Sequence, residues 1–264
     1  MSVRPLNFAP RNLKLEVKVM KQDKDLAFLA TCKNEDLRTL CDILTHDKKG
    51  ELRLSEQLTN SDAYIHYYPE RMNMMTKEIS EELRKYGSNT VKTLYRRGEA
   101  DSYDTILRRV CKKMDVEIGY DESVLDMEHQ LLINVCEQAA SQLSDDELRD
   151  LAEEAGIPHK NLKRQMLTYS IMMAIRHNTY LFTRIVSFVT MRIANMLLGR
   201  GVLMMGMSTF GRYIGMATGP IGWGLLAGWT ISDIASPAYR VLIPAVIMIA
   251  SMRYRQSALS TKKI

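Results

Sequence analysis

Tyr213-Ile-Gly-Met-Ala-Thr-Gly-Pro-Ile-Gly-Trp-Gly-Leu-Leu-Ala-Gly-Trp-Thr-Ile-Ser232 carries no charge over 20 residues. A helix needs about 20 apolar residues to cross a hydrocarbon layer of about 30 Å. The run lies between Arg212 and Asp233, and a second apolar run, Val241–Met252, follows Arg240. The fold turns on where this glycine-rich part sits: in lipid, against a partner, or inside the chain's own core. Gly215 and Gly219 form one GxxxG pair, and Gly224 and Gly228 form another. Small residues four apart let helix backbones approach closely. Gly219-Pro220 interrupts the run at its middle, which suits a helical hairpin or a kinked span. Trp223 and Trp229, the two tryptophans of the chain, suit either a headgroup boundary or a core. The residues expected to meet membrane or partner are therefore Arg212, Gly215, Gly219, Pro220, Trp223, Gly224, Gly228, Trp229 and Arg240.

Upstream, Lys163–Leu198 is apolar on nearly every side, with an arginine every eight residues: Arg176, Arg184, Arg192 and Arg200. Eight residues is about 80° beyond two full turns, so these arginines spiral round a helix. That spiral fits neither a helix lying flat on lipid nor one unbroken span, because a mid-membrane arginine costs about 2.5–3.5 kcal/mol. The reading predicts a break near His177–Thr179 or at Gly199-Arg-Gly201. The last run, Val241–Met252, is short for a span, with Pro244 in its first turn. Arg253, Arg255, Lys262 and Lys263 follow it, and their charge favours the cytosolic side.

Charge divides the chain in two. From Asn161 onward twelve basic residues face one acid, Asp233, giving +11 and leaving −6 for the first 160 residues. The basic part suits an anionic lipid face, nucleic acid, or the chain's own acidic part. Nucleic acid fits poorly, because the arginines alternate with Leu, Ile and Met and do not cluster on a polar face.

The first 160 residues read as a helical domain. Residues 1–24 form a tail in which Leu13, Leu15, Val17 and Val19 alternate with charged residues, a short-strand pattern with Val116-Glu117-Ile118 as a pairing partner. Asp25–Thr45 reads as two short helices. Leu26 and Leu29 share a face in the first; Asn34 caps the second, whose stripe is Leu37, Leu40, Cys41 and Leu44. Asp47–Gly50 is a turn. Pro69 suits the first turn of a helix ending near Gly87, and Ser88 caps a short helix to Gly98. Ser102 starts an amphipathic helix bearing Ile106, Leu107, Val110 and Met114. Asp121–Leu143 is another, with Leu125, Leu132, Val135 and Cys136 inward. Ser144-Asp-Asp-Glu147 is a capping box, and Gly156-Ile-Pro158 ends its helix. The expected fold is mainly α, with one short N-terminal strand. Its parts are the tail 1–24, an acidic helical domain 25–158, a basic apolar region 159–255, and a basic tail 256–264.

The chemistry in the sequence is sparse. Cys32, Cys41, Cys111 and Cys136 show no CxxC spacing and read as reduced, buried thiols of a cytoplasmic protein. The five histidines show no metal-ligand spacing, and Gly219–Gly224 has no Lys-Ser/Thr for phosphate. Asp145-Asp146 and Glu153-Glu154 suit a solvated helix face. No catalytic residue, cofactor or metal is expected. Met1–Met20 has no continuous apolar core of a secretory signal.

Asp25-Leu-Ala-Phe-Leu29, Asp36-Leu37 and Leu44-Thr45 resemble the N-terminal motif of the YaaW family of uncharacterised bacterial proteins. Leu94-Tyr-Arg-Arg-Gly98, Tyr103-Asp-Thr-Ile-Leu107 and Ala238-Tyr-Arg-Val-Leu-Ile-Pro-Ala-Val246 resemble further blocks of it, in order. The resemblance spans about Asp25 to Arg253. It implies a bacterial or prophage origin and a mostly α fold, with a loose link to helical ubiquinol–cytochrome c assembly chaperones. It implies no catalytic residue.

Two functions are open. One is a non-enzymatic protein at the inner face of the cell membrane, a pore-forming or scaffolding effector controlled by its acidic domain and meeting anionic lipid, with homo-oligomers built on the glycine pairs. The other is a soluble adaptor or assembly chaperone that holds a protein client on a Met-rich surface, as its 18 methionines allow.

Overall fold

The computed structural model describes residues 22–47, 49–53, 56–88, 100–203 and 238–261. These form nine α-helices: α1 (Asn34–Thr45), α2 (Asp62–Tyr67), α3 (Thr76–Gly87), α4 (Tyr103–Lys113), α5 (Val124–Gln142), α6 (Asp145–Ala155), α7 (Arg164–His177), α8 (Thr179–Leu203) and α9 (Tyr239–Thr261). Short 3₁₀ helices lie at Lys24–Thr31, Leu58–Asn60 and Met72–Met75. The fold is mainly α. Leu13–Val19 lies outside the described residues. Val116–Ile118 forms no strand, and the β-bridge found is His46 with Leu52.

α9 is the axis of the bundle. It packs against α1, α3, α4, α5 and α8, and every residue from 241 to 250 is buried. A helix that is apolar all round belongs in a core or in lipid; here the described neighbours surround it. Pro244 sits inside the helix, past the first turn, where its ring nitrogen gives the Arg240 carbonyl no amide. The helix continues through Gln256 to Thr261, so most of the expected basic tail is its last two turns. α8 packs on α1, α5, α6, α7 and α9. Helices from both sides of Gly156 therefore line one hydrophobic core, from Leu26 to Met252.

Local signals set many of the boundaries. The hydroxyls of Ser61, Ser102 and Ser123 accept from the N–H of Tyr64, Thr105 and Asp126, capping α2, α4 and α5. The Glu147 carboxylate accepts from the Ser144 N–H at 2.9 Å, closing the box that opens α6. Gly156, at φ 74°, takes the left-handed position that ends it. The stripe Leu37, Leu40, Cys41, Leu44 is wholly buried. The break before α8 falls at Asn178, and the helix then runs unbroken through Gly199-Arg-Gly201.

Other expectations give way to tertiary contacts. Asn34 is the first residue of α1, not its cap. Its amide donates to the Pro69 carbonyl at 3.0 Å, and its oxygen accepts from the Met72 N–H at 2.7 Å. Pro69 accordingly stands in the turn after α2, while the helix ending at Gly87 begins at Thr76. Leu26 and Leu29 are buried together on a 3₁₀ helix, where residues three apart eclipse. Leu125 is 59% exposed, because the first turn of α5 packs through Val124 and Met127 and turns Leu125 to solvent. The helix expected from Ser88 to Gly98 falls largely outside the described residues. Ser88 itself accepts from the Asp101 N–H at 3.0 Å and donates to the Arg84 carbonyl at 2.8 Å.

Candidate functional site

Of the residues expected at a membrane or partner contact, Arg240 is described; it is exposed in the first turn of α9. Arg212, Gly215, Gly219, Pro220, Trp223, Gly224, Gly228 and Trp229 lie outside the described residues. What the structure does assemble is a buried polar clamp at the far end of α9.

The clamp starts with Asp23. Its carboxylate accepts from the Asp25 N–H at 3.0 Å, opening the first 3₁₀ helix. It also accepts from the Tyr103 N–H at 2.7 Å, at the start of α4. Tyr103 is completely buried, and its hydroxyl donates to Glu128 of α5 at 2.7 Å. The other oxygen of Glu128 accepts from the Arg253 Nε at 2.7 Å. Arg253 also donates to the Asp25 carbonyl and lays its guanidinium over the Phe28 ring, 3.8 Å from the centroid. Two residues on, Arg255 donates to Asp36 at 2.9 Å, and the next residue, Gln256, reaches the Cys32 sulfur at 3.2 Å.

The electrostatics are those of a structural lock. Burial pushes the Glu128 carboxyl up, and Arg253 with the Tyr103 hydroxyl opposes the shift. Burial, then the Glu128 charge, push the Tyr103 phenol well above its usual range. The guanidinium of Arg253 thus has one carboxylate, one carbonyl and one ring as partners. A buried charge is tolerable only when paired and hydrogen-bonded in this way. Beside the clamp, His129, Phe182 and Tyr254 form an aromatic cluster joining α5, α8 and α9, with Phe182 and Tyr254 4.9 Å apart.

The clamp belongs to a wider pattern. Arg164 pairs with Asp145 at 2.5 Å, Arg176 with Glu137 at 2.6 Å, and Arg192 with Glu147 at 3.8 Å. With Arg253–Glu128 and Arg255–Asp36, five basic residues of the C-terminal part meet acids of the first 160. The charge split is thus partly satisfied within the molecule.

A second buried acid stands at α1. Asp42 accepts from the Tyr68 hydroxyl at 3.0 Å, with Arg38 4.0 Å away. Burial outweighs both neighbours and pushes its carboxyl up to about 6. Tyr68 stacks on Tyr64 at 4.5 Å. Arg84 and Arg109 bind the chain where it re-enters α4. Arg84 Nε donates to the Asp101 carbonyl at 2.9 Å, and Arg109 meets the Asp101 carboxylate at 2.7 Å.

Burial holds the thiols up, Cys32 to about 11 and Cys111 to about 12, and only a thiolate is a strong nucleophile. Cys32 is partly exposed; the other three thiols are buried. Among the described residues no three His, Cys, Asp or Glu gather as metal ligands. A shallow recess lined by Asp145, Leu148, Arg149, Leu162, Arg164 and Leu167 has room for little more than water.

Sequence reasoning took Arg253 and Arg255 only as basic residues following an apolar run and left Glu128 and Tyr103 without a role. The signal available was the adjacency of the clamp to the N-terminal motif: Asp25, Phe28 and Asp36 all belong to it, and each holds an arginine of α9.

That motif is where known proteins also match. A family model described as a domain of unknown function, DUF3944, matches residues 20–54. A UPF0174 protein of Helicobacter pylori strain J99 is 33% identical over 245 residues, 92% of this chain and 96% of the relative. The chain belongs to the UPF0174 family. Another member, YaaW of Escherichia coli K12, is 27% identical over 240 residues, 89% of this chain and 96% of its own. A UPF0174 protein of Helicobacter pylori strain 26695 is 25% identical over 216 residues, 78% of this chain and all of the relative. No solved structure matches the chain. The family carries no activity in its name, and no helix among the described residues is long and apolar enough to cross a membrane.

Proposed function

We propose that this UPF0174 protein is a non-enzymatic, membrane-associating scaffold that brings the charge-free run Tyr213–Ser232 to anionic lipid at the inner face of the cell membrane. One observation carries the reading. In sequence the run lies between α8 and α9, and these two helices pack on each other inside the core. The chain on either side of the segment that holds the run is thus fixed in the core of the body. The acidic helices neutralise the basic ones that flank it, through pairs such as Arg192–Glu147 and Arg253–Glu128. Homo-oligomers built on Gly215/Gly219 and Gly224/Gly228 belong to the same reading.

Carbonate extraction of cell membranes and flotation with phosphatidylglycerol vesicles test it. Full-length protein floats; protein in which residues 206–235 are replaced by a Gly-Ser linker stays in the dense fraction. Wild-type protein that remains soluble beside anionic vesicles refutes the reading.

A second reading, a soluble adaptor with a client surface, is favoured by the exposure of Met74, Met166 and Met173. It requires one defined protein partner that co-purifies without lipid.

A further inference from the structure

α7 differs from its neighbours in what it turns to solvent. Leu167, Ile171, Ala174 and Ile175 face the core. Met166 at 57% exposed, Tyr169 at 65% and Met173 at 40% form an outward ridge at helical spacing. Past the break at Asn178, Tyr180 of α8 is 50% exposed; its hydroxyl accepts from Arg184 at 3.1 Å. Lys163, His177 and Arg176, which also meets Glu137 of α5, are exposed along the ridge, and the sequence from Asn161 to Arg200 itself contains no acid.

We propose that this ridge is a second lipid contact, specific for anionic phospholipid. The inference deepens the membrane reading and rests on it for the choice of a lipid partner. Exposed apolar side chains with basic residues beside them, on a helix whose other face is held, are what an interfacial helix needs. Tyrosine suits the headgroup level, and the lysine and arginine stems cover apolar surface while their charges reach phosphate. A second copy is a poorer occupant, since two such ridges face to face would oppose like charges. A client helix would seek a groove, and the ridge is convex. The neighbouring α6 turns Asp146, Asp150 and Glu153 to solvent. The attraction is therefore confined to α7, and salt weakens it over a screening length of about 8–10 Å.

The native tryptophans make the test selective, because both lie in the run 213–232. Tyr169→Trp in a Trp223→Phe/Trp229→Phe background reports on the ridge alone. Its emission shifts to the blue with phosphatidylglycerol vesicles, not with phosphatidylcholine vesicles, and the shift is lost at high salt. In the native background, Met166→Ser/Tyr169→Ser/Met173→Ser weakens vesicle binding by on the order of tenfold, with an unchanged helical circular dichroism spectrum. No shift at position 169 with unimpaired flotation of the triple variant overturns the inference. If the native tryptophans then still shift, the membrane reading survives it. A shift at 169 without one at Trp223 and Trp229 keeps the ridge and removes the run from the membrane. An equal shift with soluble polyglutamate assigns the ridge to an acidic protein segment and overturns the lipid assignment.

Discussion

α7 and α9 come from the same basic, methionine-rich part of the chain, yet they meet opposite surroundings. α9 is enclosed by five helices, and Arg253, its side chain 15% exposed, meets the buried Glu128. α7 has one face in the core and one in solvent, and its Arg176 is mostly exposed even where it meets Glu137. Composition alone does not separate the two. What separates them is how many helices surround each and where the acid partner lies. An arginine within an apolar helix marks neither lipid nor core until its partner is known.

The largest test of this contrast removes the enclosed helices. Chain ending at Asn161 loses α7, α8 and α9 and with them the apolar residues that α1, α3, α4 and α5 pack upon. We expect no cooperative urea transition and exposed apolar surface that binds dye. A monomeric 25–158 fragment with a sharp transition would show two separable cores.

The next test acts on the clamp. Glu128→Ala leaves the Arg253 guanidinium and the Tyr103 hydroxyl buried without their carboxylate. Stripping one member from a buried ion pair costs about 3–5 kcal/mol. Glu128→Ala/Arg253→Met should recover much of that loss, because the stranded charge is gone. Urea midpoints of the two single variants and the double variant give the coupling. Additive losses would mean that the pair is not coupled.

How much of this could be read beforehand depends on the range of each signal. Ser102 and Ser144 announce helix starts because a cap is completed within three residues. The stripe Leu37 to Leu44 was legible for the same reason. Asn34 misled because the amide that can cap a helix can also tie two segments together; here it binds Pro69 and Met72. Arg253 read as one more basic residue after an apolar run because its carboxylate lies 125 residues away, and nothing local announces that pairing. The exposed ridge of α7 was hidden by the apolar character of its whole surroundings. Helical periodicity there places residues on faces without saying which face stays uncovered. Of the expected contact residues, the structure describes only Arg240.

Asp42 offers a smaller effect with a definite sign. Its folded carboxyl titrates at about 6, against an ordinary 3.8, because burial disfavours the charged form. Between these values the folded chain holds a proton that the unfolded chain has released. This group's contribution to stability therefore falls as pH rises from about 4 to about 6, and is constant below. Asp42→Asn keeps an oxygen for the Tyr68 hydroxyl and removes the titration. The variant should exceed wild type at neutral pH by on the order of 2 kcal/mol and converge with it near pH 4. Urea midpoints across that window check it; parallel curves would place the titration elsewhere.

The smallest expected effect is the most informative about α7. Arg176 donates to Glu137 at 2.6 Å, a shorter contact than Arg253 makes with Glu128, but with its side chain 58% exposed. Water solvates both members, holding the long side chain in place costs entropy, and salt screens the rest. Arg176→Gln should leave the urea midpoint unchanged within error, at low salt and at high. The same change at Arg253 should lower the midpoint at both, since its carboxylate is out of reach of screening ions. If Arg176→Gln proves as damaging as Arg253→Gln, then α7 is held by its charges and its ridge is not free to meet another surface. If it proves silent, Arg176 is available for a phosphate, and vesicle binding should weaken in the variant while the fold does not.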